Sequence, residues 1–226
     1  MHFVNFLKAL DELLYEIMSW LVFYPITLWR VLRHPAQMMD YADDEQSHDR
    51  AARYSATLSP PTFLLVTMLL GHALELALVG ENSLIENTSG LAGLISDGTS
   101  LILFRLAAFS VIPVVIAARL VRRRGKGLNR QTLEAPFYAQ CYTAAPFALA
   151  VGLATIVAQE PWARAPLVAA AILAGALLWF FVVQVGWFAR HLNESRWRAL
   201  VDALIGLAEC LTLVGVLVFV VGRSLA

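Results

Sequence analysis

Five polar side chains stand where the surrounding sequence is apolar, and they are the residues most able to carry chemistry. Glu209 lies near the middle of the run Leu200 to Val221 and Gln184 in the inner part of Pro166 to Phe188. His72 and Glu75 belong to Pro61 to Val79, and Arg105 to Leu101 to Val121. An ionisable group in hydrocarbon is costly, so it turns toward a partner and is a functional candidate by default. Glu75 and Arg105 fall at equal depth on consecutive runs of opposite direction, which predicts an ion pair. His72 precedes Glu75 by three residues, on the same helical face. Such a cluster fits either a structural ion pair that fixes helix register or a proton or anion site near one surface. Asp202, Gly206, Glu209 and Thr212 form one stripe, with Gln184 and Tyr142 or Thr143 as expected partners of Glu209. That carboxyl reads equally as a neutral, hydrogen-bonded structural group or as a proton carrier, because desolvation favours the protonated form.

Other chemistry has less support. Asp40, Asp43, Asp44, Glu45, His48 and Asp49 cluster between Ala36 and Ser59. The spacing and glycine of a calcium loop are missing, so a solvated linker offsetting Arg50 and Arg53 is expected rather than a cation site. Cys141 and Cys210 sit in apolar stretches as small hydrophobes, without metal-ligand spacing. No nucleophile–base arrangement, phosphate loop or zinc motif is legible, and the chain is read as neither an enzyme nor a holder of a metal or cofactor. Gly125-Lys126-Gly127 reads as a flexible turn, and the Arg122–Arg124 run follows from topology rather than from nucleic-acid binding.

The elements that would position these residues are helices in a bilayer. Hydrophobic residues make up 59 % of the chain, with a mean hydropathy of +0.65, beyond the range of a soluble domain. A membrane helix needs about 20 apolar residues. Five segments qualify: Pro61 to Val79, Leu101 to Val121, Phe137 to Val157, Pro166 to Phe188, and Leu200 to Val221. All Lys and Arg except Arg105, Arg164 and Arg223 fall in the N-terminal segment, in 119–130 or in 190–198. Five spans put those three segments on one side. Basic loops stay cytoplasmic, which gives an inward N-terminus and an outward C-terminus. The loop 80–100 has Glu81, Glu86 and Asp97 but no Lys or Arg, and carries the sequon Asn87-Thr88-Ser89. Ala144, Ala145, Ala148 and Gly152, and the pair Ala171 and Gly175, are candidate close-contact positions. Pro113 and Pro146 are candidate kinks.

The first 33 residues differ. Phe3, Leu10, Leu14, Ile17, Leu21 and Tyr24 recur at helical spacing, with Lys8, Asp11, Glu12 and Glu16 between them. Those charges interrupt the run that a cleavable signal needs. Ile17 to Trp29 is short for a span and contains Pro25. The reading is an amphipathic helix along the cytoplasmic headgroups, anchored by Trp20, Tyr24 and Trp29. The alternative is a sixth span, with Lys8 on the other side. The expected fold is all-α: residues 1–59 form a cytoplasmic amphipathic helix and acidic linker, and 60–226 a five-helix transmembrane domain.

Arg30-Val31-Leu32-Arg33-His34-Pro35 resembles the basic-apolar-Pro segment before the first span in bacterial members of the Yip family of Rab-interacting membrane proteins. Gln140-Cys141-Tyr142-Thr143-Ala144-Ala145-Pro146 resembles the family's Tyr-x-x-x-Pro entry to the third span, and the five-span layout is similar. The Asp-Leu-x-Gly-Pro signature of eukaryotic members is absent. The resemblance implies a bacterial inner-membrane protein, often described as permease-like, without an agreed activity. Two functions follow as expectations. The first is a scaffold or accessory subunit that organises the bilayer with other membrane proteins or further copies of itself. The second is a small permease using Glu209, Gln184 and the His72–Glu75–Arg105 cluster. An odd number of spans does not divide into the matched halves common in transporters, which favours the first.

Overall fold

The computed structural model describes residues 2–46, 54–80 and 98–223. Seven helices account for nearly all of them: α1 (His2–Arg33), α2 (Pro35–Glu45), α3 (Pro60–Leu78), α4 (Gly98–Arg123), α5 (Arg130–Ala158), α6 (Ala165–Leu192) and α7 (Arg196–Arg223). Helices α3 to α7 are each long and apolar enough to cross a membrane, and they coincide with the five expected spans. The expected loop features from Glu81 to Asp97, the Asn87 sequon among them, lie outside the described residues.

Local chemistry sets the helix ends. Pro60 and Pro61 open α3 after Ser59, where a missing N–H costs nothing. Asn129 and Thr132 form a reciprocal capping box at the start of α5. Asn193, with φ of 50°, closes α6 in the left-handed region. Gly125, with φ of +68°, makes the reversal between α4 and α5.

Helix α5 is the centre of the bundle, packed against α2, α3, α4 and α6, while α7 closes against α4 and α6. Every residue from Ala139 to Ala148 is buried. A helix buried all round lies inside a bundle, and the alanines of this stretch let neighbouring backbones approach. The pair Ala171 and Gly175 does not serve that purpose. Both are exposed, and a Cβ on Gly175 would meet nothing within 4 Å. Helices α4 and α5 continue through Pro113 and Pro146 without a break.

Helix length marks a level across the bundle. From Ala158 down to Gln140 is about 27 Å at 1.5 Å per residue, close to the roughly 30 Å of a hydrocarbon core. Gln140 is bonded to Gln184, and Tyr142 to the Leu58 carbonyl at the start of α3. Three helices therefore share one level there. Below it, the first turns of α5, the ends of α4 and α6 and the start of α7 project as a basic end bearing Arg122, Arg123, Arg124, Arg130, Arg190, Arg196 and Arg198.

Part of the expected acidic linker is helical. Residues 35–45 form α2, whose Met38, Met39 and Ala42 are buried against the projecting part of the bundle. Its acids face α6: Asp43 lies 3.1 Å from His191 and Asp40 3.5 Å from Arg190. They do not converge on a common centre; His48 and Asp49 lie outside the described residues. The segment before α3 is stitched to both sides. The Leu58 N–H donates to Thr27 (3.1 Å), and the Thr57 and Tyr142 hydroxyls are 3.2 Å apart.

Helix α1 runs unbroken through Pro25. Its Thr27 and Val31 are buried, and Tyr24 packs on Phe63 with ring centroids 5.3 Å apart. The opposite face presents Leu14, Met18, Leu21, Val22, Ile26, Trp29 and Leu32. Arg33 stacks over the Trp29 ring at 4.3 Å. One side of the helix thus holds the bundle, and the other offers lipid-compatible surface beside a basic group.

Candidate functional site

The polar side chains gather into three clusters at different levels. The first, at the end of the bundle away from the basic end, joins α3 to α4. Glu75, 3 % exposed, forms the expected ion pair with Arg105, which is 22 % exposed. The spacing argument succeeds because consecutive antiparallel helices hold residues equidistant from their shared end at one height. His72 is buried one turn below, and its Nδ1 makes no hydrogen bond among the described residues. It therefore sits a turn away from the pair, with that nitrogen left unbonded.

The second cluster is the amide pair between α5 and α6. The Gln140 side-chain N–H donates to Gln184 Oε1 at 2.9 Å, and the Gln184 N–H returns to Gln140 Oε1 at 2.7 Å. Thr143 donates to the Gln140 backbone carbonyl at 3.1 Å. Both amides are buried. Gln184 was expected to partner Glu209, together with Tyr142 or Thr143. Instead it is committed to α5, and Tyr142 is committed to Leu58 and Thr57. All three groups are bonded away from α7.

The third cluster corrects the expectation for Glu209. That carboxylate accepts from the Arg119 guanidinium at 3.0 Å, and the same guanidinium donates to Asp202 at 2.7 Å. Asp202 accepts also from Arg123 (3.1 Å), which reaches Glu194 at 2.8 Å. The result is a ladder of alternating charge, Glu209–Arg119–Asp202–Arg123–Glu194, climbing from the basic end into the bundle. Asp202 and Glu209 share a face of α7 seven residues apart, about 10 Å along the axis, and Arg119 spans the gap. Gly206 lies between them, where a Cβ would stand 3.4 Å from the Arg119 side chain. The stripe read from the sequence is real, but its partner is α4. No basic group was expected at Glu209's depth, because Arg119 counted with the basic loop. Its long side chain carries the charge a turn or more along the helix.

Exposure differs along the ladder. Asp202 is 5 % exposed and Glu209 37 %. Glu209 faces a groove between α4 and α7 of about 700 Å³, lined also by Arg122, Thr212 and apolar side chains. On the other flank of α7 an open hollow is lined by Arg119, Arg123, Trp197 and Arg198. Cys141 and Cys210 are buried free thiols, as expected of small hydrophobes. Among the described residues no three His, Cys, Asp or Glu side chains come together as a metal site.

Sequence reasoning found Glu75, Arg105 and Glu209, but it did not single out Arg119, Gln140 or Asp43 as partners. Spacing offered one usable signal: Arg119 and Arg123 are four apart on α4, while Asp202 and Glu209 are seven apart on α7. Two stripes of opposite charge thus mark a shared seam. Comparison with known protein families, curated proteins and solved structures finds no match to this chain.

Proposed function

We propose that this chain is a non-enzymatic integral membrane protein of scaffold or accessory type, which organises the bilayer around it with other membrane proteins or further copies of itself. The observation that carries the reading is that these intramembrane carboxylates are each bonded to an arginine of a neighbouring helix. Glu75 is bonded to Arg105, and Asp202 and Glu209 to Arg119. A charge bonded to a neighbouring helix fixes register and packing, as the paired amides do between α5 and α6. A carrier needs instead a group whose bond to the protein gives way to substrate. The Yip-like runs support the same reading by position. Arg30 to Pro35 joins α1 to α2, and Gln140 to Pro146 carries the side chains that tie α5 to α6 and to the start of α3. The proposed setting is a bacterial inner membrane with the basic end cytoplasmic.

The permease reading keeps one favourable observation, the exposure of Glu209 on its groove. Reconstituted proteoliposomes separate the two. Under an imposed pH gradient and membrane potential, the scaffold takes up no more protons than protein-free vesicles, and cross-linking in native membranes yields discrete adducts. Proton uptake that Glu209→Gln abolishes, in protein of unchanged thermal stability, would install the permease instead.

A further inference from the structure

We propose that the groove between α4 and α7 binds one anionic glycerophospholipid, its phosphate held at the basic end and an acyl chain lying along the groove. The cavity, about 700 Å³, is walled by Val114, Val115, Ala118, Leu133, Ile205 and Leu213. From Arg122 up to Val114, and from Ile205 to Leu213, is about 12 Å at 1.5 Å per residue. That is most of the roughly 15 Å depth of one hydrocarbon leaflet. The groove therefore has the length and the lining of an acyl chain's path.

Its mouth has the matching charge. Arg122 lines the groove at the end of α4 and is exposed. Arg119 and Arg123 beside it are spent on Asp202, Glu209 and Glu194, and Arg124 on the His191 carbonyl. Arg122 has no such bond among the described residues, so its charge is available to a phosphate. A second, smaller hollow adjoins across Val114 and Leu133, which line both, and brings exposed Arg130 to the same end. Glu134 lines that hollow too and offsets part of this charge, which leaves Arg122 as the principal contact proposed for the phosphate. Glu209 also faces the groove, but its charge is answered by Arg119, and it lies at acyl depth. Basic pockets between membrane helices are established sites for anionic headgroups.

The test uses the full chain, purified in mild detergent and stripped of lipid. Native mass spectrometry follows titration with phosphatidylglycerol, with phosphatidylcholine of the same acyl chains, and with glycerol 3-phosphate. One phosphatidylglycerol binds in preference to phosphatidylcholine, and Arg122→Gln weakens it about fivefold, the worth of one basic residue at an anionic surface. Ala118→Phe, which fills the groove, removes that lipid while Arg122 remains. Arg122 is exposed, so its replacement leaves folding intact if Ala118→Phe does not. Equal binding of the two lipids, or no effect of Arg122→Gln, overturns the proposal. Competition by glycerol 3-phosphate assigns a headgroup-only anion site and overturns it too. Loss of a dimer in Ala118→Phe with unchanged lipid occupancy assigns the groove to a second copy, with the same consequence.

Discussion

Arg119 bonds two carboxylates of α7, and its removal should be the most damaging single change in the inner cluster. Arg119→Leu leaves Glu209 without its arginine and Asp202, which is 5 % exposed, with Arg123 alone, and should cost part of the roughly 3–5 kcal/mol of a fully uncompensated buried charge. Glu209→Gln keeps an acceptor for the guanidinium at a half-exposed position, and should cost well under half as much. Thermal unfolding in detergent checks the order, and equal losses would break the ladder interpretation. The Glu75–Arg105 pair makes a companion case. Glu75→Leu and Arg105→Leu should each destabilise more than the double replacement, since the pair removed together leaves no lone charge. The buried amides repeat the logic without charge. Gln140→Leu or Gln184→Leu leaves an orphaned partner, at about 1–3 kcal/mol, while the double change is nearly neutral.

At the scale of elements, α2 owes its place to three buried side chains, Met38, Met39 and Ala42, and to acids answered by Arg190 and His191. Met39→Asp should release it from the bundle. Hydrogen exchange across Pro35–Glu45 should then accelerate while α5 keeps its protection, and unchanged exchange would show that the polar contacts alone hold it. The five long helices were legible because unbroken apolar runs of membrane length leave few alternatives. Helix α2 was not, because the acids at 40, 43 and 44 dominate a short segment. Their partners on α6 are some 150 residues away in the chain, where no local pattern reveals them. The Glu75–Arg105 pair was legible for the opposite reason, joining consecutive helices at equal height. Arg119 reaches α7 across a seam of helices not adjacent in sequence. Helix α1 gives a further test. Thr27 contacts Leu58, while Tyr24 contacts Phe63. The helix therefore rises along α3 toward its own N-terminus. Spin labels at exposed Val22 and Leu32, about 15 Å apart along the axis, should differ, with Val22 more accessible to oxygen and Leu32 to a nickel chelate. Equal accessibility would mean a helix lying flat along the headgroups.

The whole molecule is polarised along one axis, and that polarity decides how it sits in a membrane. The end formed by the turns between α4 and α5 and between α6 and α7 carries Arg122, Arg123, Arg124, Lys126, Arg130, Arg190, Arg196 and Arg198. The opposite turn, between α5 and α6, holds Glu160 and Arg164. Some of the basic charge is consumed internally, by Glu194, Asp202 and the acids of α2. Arg122, Lys126 and Arg130 remain exposed on the short connection that would have to cross the bilayer in the inverted orientation. Such loops resist translocation, so the basic end is expected in the cytoplasm, with Glu160 outside. The helical order then sends α3 outward, α4 inward and α7 outward, and α2 docks on the cytoplasmic side. Single cysteines at Glu160, Lys126 and Ser195, with Cys141 and Cys210 replaced by alanine, read this directly. An impermeant maleimide applied to intact cells should label only position 160. Positions 126 and 195 should label after the membrane is opened. Labelling of 126 from outside would invert the molecule, and with it the leaflet from which a lipid reaches the groove between α4 and α7.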